Sequence, residues 1–184
     1  MALLFIPIFL LGLVLFIKSP DLLQKRLQSK EKEPTQKCVV VLLALLFLAG
    51  FCVAGLDYRF GWSRVPTWIS AIASVLFLVA YCLYVEVMRE NAYLSRTIRV
   101  EVGQQVIDTG LYGVVRHPMY AATVLLFLMI PFILGSFLSL LPFLGYPVLM
   151  AVRIVGEEKL LTEQLQGYTV YKQKVKYRMI PFIW

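Results

Sequence analysis

The side chains of this chain that can do chemistry fall into two short clusters. The first is Gly110-Leu-Tyr-Gly-Val-Val-Arg-His-Pro-Met-Tyr120, which holds His117, the one histidine of the chain. Pro118 lacks the N–H that a first helical residue leaves orphaned, so it predicts a helix start. It also pushes His117 toward an extended conformation. Arg116, His117 and Tyr120 then surround the positive end of a helix, a setting that favours an anion such as a carboxylate. The second cluster is Arg153-Ile-Val-Gly-Glu157-Glu158. Arg153 and Glu157 are four apart and share a helix face, whereas Glu158 points about 100° away, toward a different neighbour. Each cluster also has a plainer reading, as an interfacial anchor or a surface ion pair.

A single histidine excludes a multi-histidine metal centre, and no metal is expected. The chain has no Gly-x-Gly-x-x-Gly, Gly-x-Ser-x-Gly or P-loop. Cys38, Cys52 and Cys82 lie in apolar runs without a Cys-x-x-Cys pair and read as small buried hydrophobes. In the tail, Gly167 suits the end of a helix that begins near Arg153, and Tyr168 and Tyr171 share a face. The basic run Lys172, Lys174, Lys176 and Arg178 suits lipid headgroups rather than nucleic acid. Phe182 and Trp184 are placed to dock back over the same side.

These clusters need elements to hold them. Of 184 residues, 60% are hydrophobic and 16% charged, against roughly 25% charged in a soluble domain. A soluble globular protein, a disordered chain and a disulfide scaffold are thereby excluded. At roughly 20 residues per crossing, the apolar content fills five helices, at about 1–17, 38–56, 67–88, 118–134 and 137–155. The expected fold is an all-α membrane protein of one domain, 1–184. Its last two helices form a tight hairpin around Gly135-Ser136, and 18–37 carries a short interfacial helix. With the N-terminus outside, segments 18–37, 89–116 and 153–184 hold six, four and six of the 18 basic residues, and the outer loop two. That agrees with the positive-inside rule. It puts the C-terminus and both clusters on the cytoplasmic side of the cell membrane, with inner segments 89–117 and 153–184 carrying the chemistry.

The order Gly110-x-Tyr112-x-x-x-Arg116-His117-Pro118-x-Tyr120, Arg153-x-x-x-Glu157-Glu158-x-x-Leu161, Gly167-Tyr168-x-x-Tyr171 and Pro181 resembles the isoprenylcysteine carboxyl methyltransferase family of integral membrane enzymes. The resemblance covers about half of the chain and looks like the short prokaryotic members. It implies S-adenosylmethionine as methyl donor and S-adenosylhomocysteine as product. It implies cofactor contacts from Gln104, Gln105, Val106, Ile107, Tyr112, His117, Pro118, Met119, Tyr120, Glu157 and Glu158. Gln104 stands where the family often has histidine. Arg153 matches the arginine credited with the substrate carboxylate, so that Arg153, Glu157 and Arg116 are the expected catalytic group.

The chemistry of these side chains agrees. Arg116, His117 and the helix end suit the carboxylate of such a cofactor, a glutamate suits its ammonium or ribose hydroxyls, and tyrosines suit its adenine or sulfonium. A carboxylate acceptor needs no general base, only a cation to hold it, and catalysis is then mostly positioning and desolvation. The acceptor is expected to be a prenylated cysteine or similar lipophile, entering from the bilayer near the third, fourth and fifth helices. A phospholipid amine N-methyltransferase is the alternative, with Glu158 as base. A non-catalytic membrane scaffold is the second.

Overall fold

The computed structural model describes residues 2–27, 31, 33–95 and 97–184. Lys30, Lys32 and Arg96, counted above among the basic residues, lie outside them. The described residues form helices and connecting turns without a strand. In order they are α1 (Ala2–Lys18), α2 (Pro20–Leu27), α3 (Pro34–Phe60), α4 (Thr67–Glu90), a 3₁₀ turn (Gly110–Gly113), α5 (Pro118–Leu134), α6 (Leu140–Phe143), α7 (Gly145–Gln164) and α8 (Tyr168–Lys174).

Three stretches are long and apolar enough to cross a membrane: α3, α4 and the α6–α7 pair, Leu140–Gln164. Helices α1 and α5 are apolar but shorter, at 17 residues each. Helix α3 outruns the expected 38–56 at both ends. Pro34 opens it without leaving an N–H orphaned. At the other end it runs to Phe60, and Gly61 stops it in the left-handed region at φ 66°.

The hairpin after α5 is real but looser than Gly135-Ser136 alone. Gly135 terminates α5 at φ 80°, and helix resumes at Leu140 rather than 137. Pro142 and Pro147 each remove a ladder N–H, and the helix is interrupted at Leu144. Then α7 runs to Gln164, nine residues past the expected end, and carries the whole Arg153–Glu158 cluster. Gly167 does not close that helix. At φ 86° it caps the start of α8. The three cysteines are exposed on the apolar outer surface rather than buried.

Phe77, Ala80, Leu126, Ile130 and Phe143 pack α4, α5 and α6 together. Gly50 lets Phe143 lie against α3, since any Cβ there would strike that ring. The two ends of the bundle differ in chemistry. At one end Asp57, 1% exposed, accepts hydrogen bonds from the Ser63 amide and from the hydroxyls of Ser63 and Ser136. This ties the end of α3 to the following loop and to the turn after α5. At the opposite end the three basic segments meet. Arg26 reaches the Ser95 carbonyl, Arg153 pairs with Glu31, and Arg116 donates to the Val175 carbonyl.

Candidate active site

The site is built where α5 and α7 emerge among those segments. His117 precedes α5 at φ −126°, ψ 60°, and Pro118 takes the first helical position as expected. The tail runs alongside: the amides of Arg116 and His117 donate to the carbonyls of Tyr177 and Arg178, at 2.9 and 2.8 Å. Beyond it, Trp184 folds back so that the Arg178 guanidinium lies 5.1 Å from its ring centre. The Phe182 ring lies tilted against Tyr177 but is 86% exposed, so of the two Trp184 is the one that turns inward.

Glu158 is the hub beneath. Its carboxylate accepts from Arg116 Nε at 2.6 Å, Arg178 Nε at 3.0 Å and His117 Nε2 at 3.3 Å. Arg116 also donates to the Val175 and Lys176 carbonyls. It is therefore a strut joining the approach to α5, α7 and the tail. Glu158 is itself 3% exposed and does not line the cavity described below. Pro118 likewise packs away from the cavity.

Glu157 faces the other way, as the 100° step between neighbours requires. Its Oε2 accepts from the Tyr120 hydroxyl at 2.6 Å, and Tyr120 in turn accepts from Arg153 Nε at 3.1 Å. The relay continues to Glu31 of the α2–α3 link, which accepts from Arg153 Nη2 at 2.8 Å. Arg153 and Glu157 are thus joined through Tyr120. Arg153 is 6% exposed, so the surface-pair reading does not apply to it.

Two cavities meet at this relay. The first is polar. Gln104, Gln105, Val106 and Ile107 form one wall, and Tyr112, Arg116, His117, Met119 and Tyr120 form the floor. Glu157, Tyr168 and Tyr171 close the third side. Ten of the residues expected at the site therefore converge. Sequence reasoning did not place Asn91, Tyr93 and Ser95 here, because no motif or spacing ties them to the two clusters. Burial raises the phenols of Tyr112, Tyr168 and Tyr171 well above their ordinary range, so each keeps its proton. Tyr112 accepts from Asn91, and Tyr171 donates to the Tyr112 carbonyl. The Tyr168 hydroxyl is buried without a partner among the described residues.

The second cavity is apolar and larger, about 490 Å³. Its walls come from α1, α3, α4, α5 and α7, including Leu11, Leu43, Phe47, Tyr81, Phe127 and Met150. This is a wider surround than the three helices expected. Arg26 and Arg153 supply the charge at its polar end, and Ser95, Met119 and Tyr120 border both cavities. No group of His, Cys, Asp and Glu among the described residues is arranged to hold a metal.

An apolar chamber and a polar chamber thus share a wall at one end of a bundle of apolar helices. The isoprenylcysteine carboxyl methyltransferase (ICMT) family model matches residues 69–163, from the start of α4 to the end of α7. The chain belongs to this family. It is also similar to the uncharacterized protein YpbQ of Bacillus subtilis (strain 168), with 32% identity over 98 residues. The match covers 53% of this chain and 58% of that relative, so the chain spans little more than half of the relative's length.

Proposed function

We propose that this protein is an S-adenosylmethionine-dependent membrane methyltransferase. It passes a methyl group to the carboxylate of an isoprenylated cysteine or similar amphiphile. The observation that carries this reading is the shared wall: Met119 and Tyr120 border both a polar cavity and an apolar one. Family membership supports the same chemistry.

The residues of the polar cavity fit the cofactor. Tyr168 offers a buried hydroxyl that lacks a partner among the described residues, which a ribose or amino-acid group would satisfy. Glu157 presents a carboxylate already oriented by Tyr120 and suited to an ammonium or to ribose hydroxyls. When bound, S-adenosylmethionine supplies the electrophilic methyl group. Around it, Tyr93, Tyr112 and Tyr171 exclude water and offer ring faces. Arg116 holds the floor through Glu158. Arg153, set at the polar end of the apolar cavity, orients Tyr120 at the junction. Its expected hold on an acceptor carboxylate competes with Glu31, which already meets its charge.

The amine-methylating alternative needs a base, and Glu158 was its candidate. That carboxylate is already engaged by two arginines and by His117 Nε2, which favours an acceptor that arrives deprotonated. The bundle sits in the membrane by five helices, with the site on the cytoplasmic side.

Calorimetric titration of the detergent-purified protein with S-adenosylhomocysteine tests the reading. Binding is expected, and weaker binding for Glu157→Ala. A folded protein that binds none is the scaffold outcome and ends the proposal. A methyl-transfer panel of a farnesylated cysteine analogue, a fatty acid and an amine phospholipid then separates ester from N-methyl products.

A further inference from the structure

Helix α2 lies before the segment that the family model matches, yet it delivers a cation to the apolar cavity. Leu22 packs with Val87, Met88, Tyr112 and Met119, and Arg26, four residues on, shares that face. The Arg26 guanidinium lines the apolar cavity. Its partners are all neutral: the Tyr84 hydroxyl at 2.7 Å, the Ser95 carbonyl at 3.4 Å and the Met119 sulfur at 3.5 Å. Among the described residues no carboxylate lies within ion-pair distance of it.

The contrast with Arg153 decides the matter. Both arginines line the same cavity, but Glu31 balances Arg153. A guanidinium held beside an apolar chamber by neutral acceptors keeps its charge unmatched, which is costly at the edge of a membrane. Its planar fork matches a carboxylate bidentately. Two of its three partners, Ser95 and Met119, also border the polar cavity. An anion on Arg26 therefore sits next to the wall that separates donor from acceptor.

We infer that Arg26 is the anion anchor for the acceptor, and that it selects single-chain amphiphiles with a carboxylate head over uncharged ones of the same chain. This rests on the methyltransferase reading only in taking the apolar cavity as the acceptor's chamber. Arg153 then acts as a positioning residue for Tyr120.

The test is a binding comparison of palmitate and hexadecanol, identical in chain and different in charge, on the full chain in lipid-free micelles. The wild type binds palmitate the more tightly. Arg26→Gln weakens palmitate by about 10- to 100-fold, the range of a lost charged hydrogen bond, and leaves hexadecanol unchanged. Arg26→Lys recovers part of the preference. Wild-type affinity for palmitate in Arg26→Gln overturns the inference, and so does a wild type that does not distinguish the two ligands. In nanodiscs containing phosphatidylglycerol the preference persists. Its disappearance there means that Arg26 merely pairs with bilayer phosphate, which also overturns the inference. Unchanged S-adenosylhomocysteine binding by Arg26→Gln shows that the variant is folded. Failure of the wild type to bind that nucleoside sinks the methyltransferase reading while leaving the palmitate preference to judge Arg26.

Discussion

Tyr168 puts a buried hydroxyl where no other described residue meets it. Such a group is costly when left unbonded and useful when a ligand bonds it. Tyr168→Phe is therefore expected to leave the thermal midpoint of the ligand-free protein unchanged or raised. It should weaken S-adenosylhomocysteine binding about 2- to 12-fold, the value of one neutral hydrogen bond. Paired melting curves and titrations of the two proteins check both halves. Glu158 is the opposite case, with every oxygen engaged. Glu158→Ala leaves Arg116, a neighbour just 8% exposed, without its carboxylate. A loss of about 3–5 kcal/mol is expected, as for other broken buried pairs, and a denaturant titration in mixed micelles measures it. These roles were unequally legible. That Glu157 and Glu158 face different neighbours follows from helix geometry, but which of them meets the cavity depends on the tail folding back beside α5. Glu31 and Arg26 carried no local signal at all. Glu31 meets Arg153 across a separation of 122 residues, and periodicity reports only neighbours along one helix.

At the scale of elements, the segment that covers the polar cavity is its least regular part. Residues 98–107 are neither helix nor strand, and Val102 at its turn is fully exposed. The cavity beneath holds about 90 Å³, below the ~300–1,000 Å³ of ordinary small-ligand pockets. The apolar chamber is already within that range. Under the proposed function, a nucleoside-sized cofactor would have to displace the cover and then hold it. Hydrogen exchange at residues 98–107 is expected to be fast without ligand and to slow on adding S-adenosylhomocysteine, with residues of α4 little changed. Equal exchange in both states counts against a cofactor in this cavity. The helices themselves were largely readable, because apolar length sets them. Pro118 and Gly135 mark the bounds of α5 where they were expected. What escaped was the continuation of α7 through charged residues. Arg153, Glu157 and Glu158 look like a helix end by hydropathy, yet each has a buried or half-buried partner, so the helix continues.

For the whole molecule, the basic segments converge at one end and the Asp57–Ser63–Ser136 cluster occupies the other. If the positive-inside bias governs insertion, Lys172 and Trp62 stand on opposite sides of the membrane. In a background lacking the native cysteines, Lys172→Cys is expected to react with an impermeant thiol reagent only in inverted vesicles, and Trp62→Cys only in right-side-out ones. Labelling of both from one side overturns the orientation. That the basic segments share one end was legible from charge counts. The meeting of two cavities was not, because it depends on side chains from stretches scattered from α1 to α8.

The origin of the walls has a further consequence. Most of the polar cavity comes from the family-matched residues 69–163, with Tyr168 and Tyr171 just beyond. The apolar cavity instead draws Ile8, Leu11, Arg26, Val40, Leu43, Ala44 and Phe47 from the chain before that segment. On the proposed function, donor recognition and acceptor choice are then written in different stretches of the polypeptide. A change of acceptor can arise by altering α1–α3 with the donor half left intact. Chimeras exchanging the first 66 residues between members of the family would then inherit their acceptor preference from one parent and their cofactor affinity from the other.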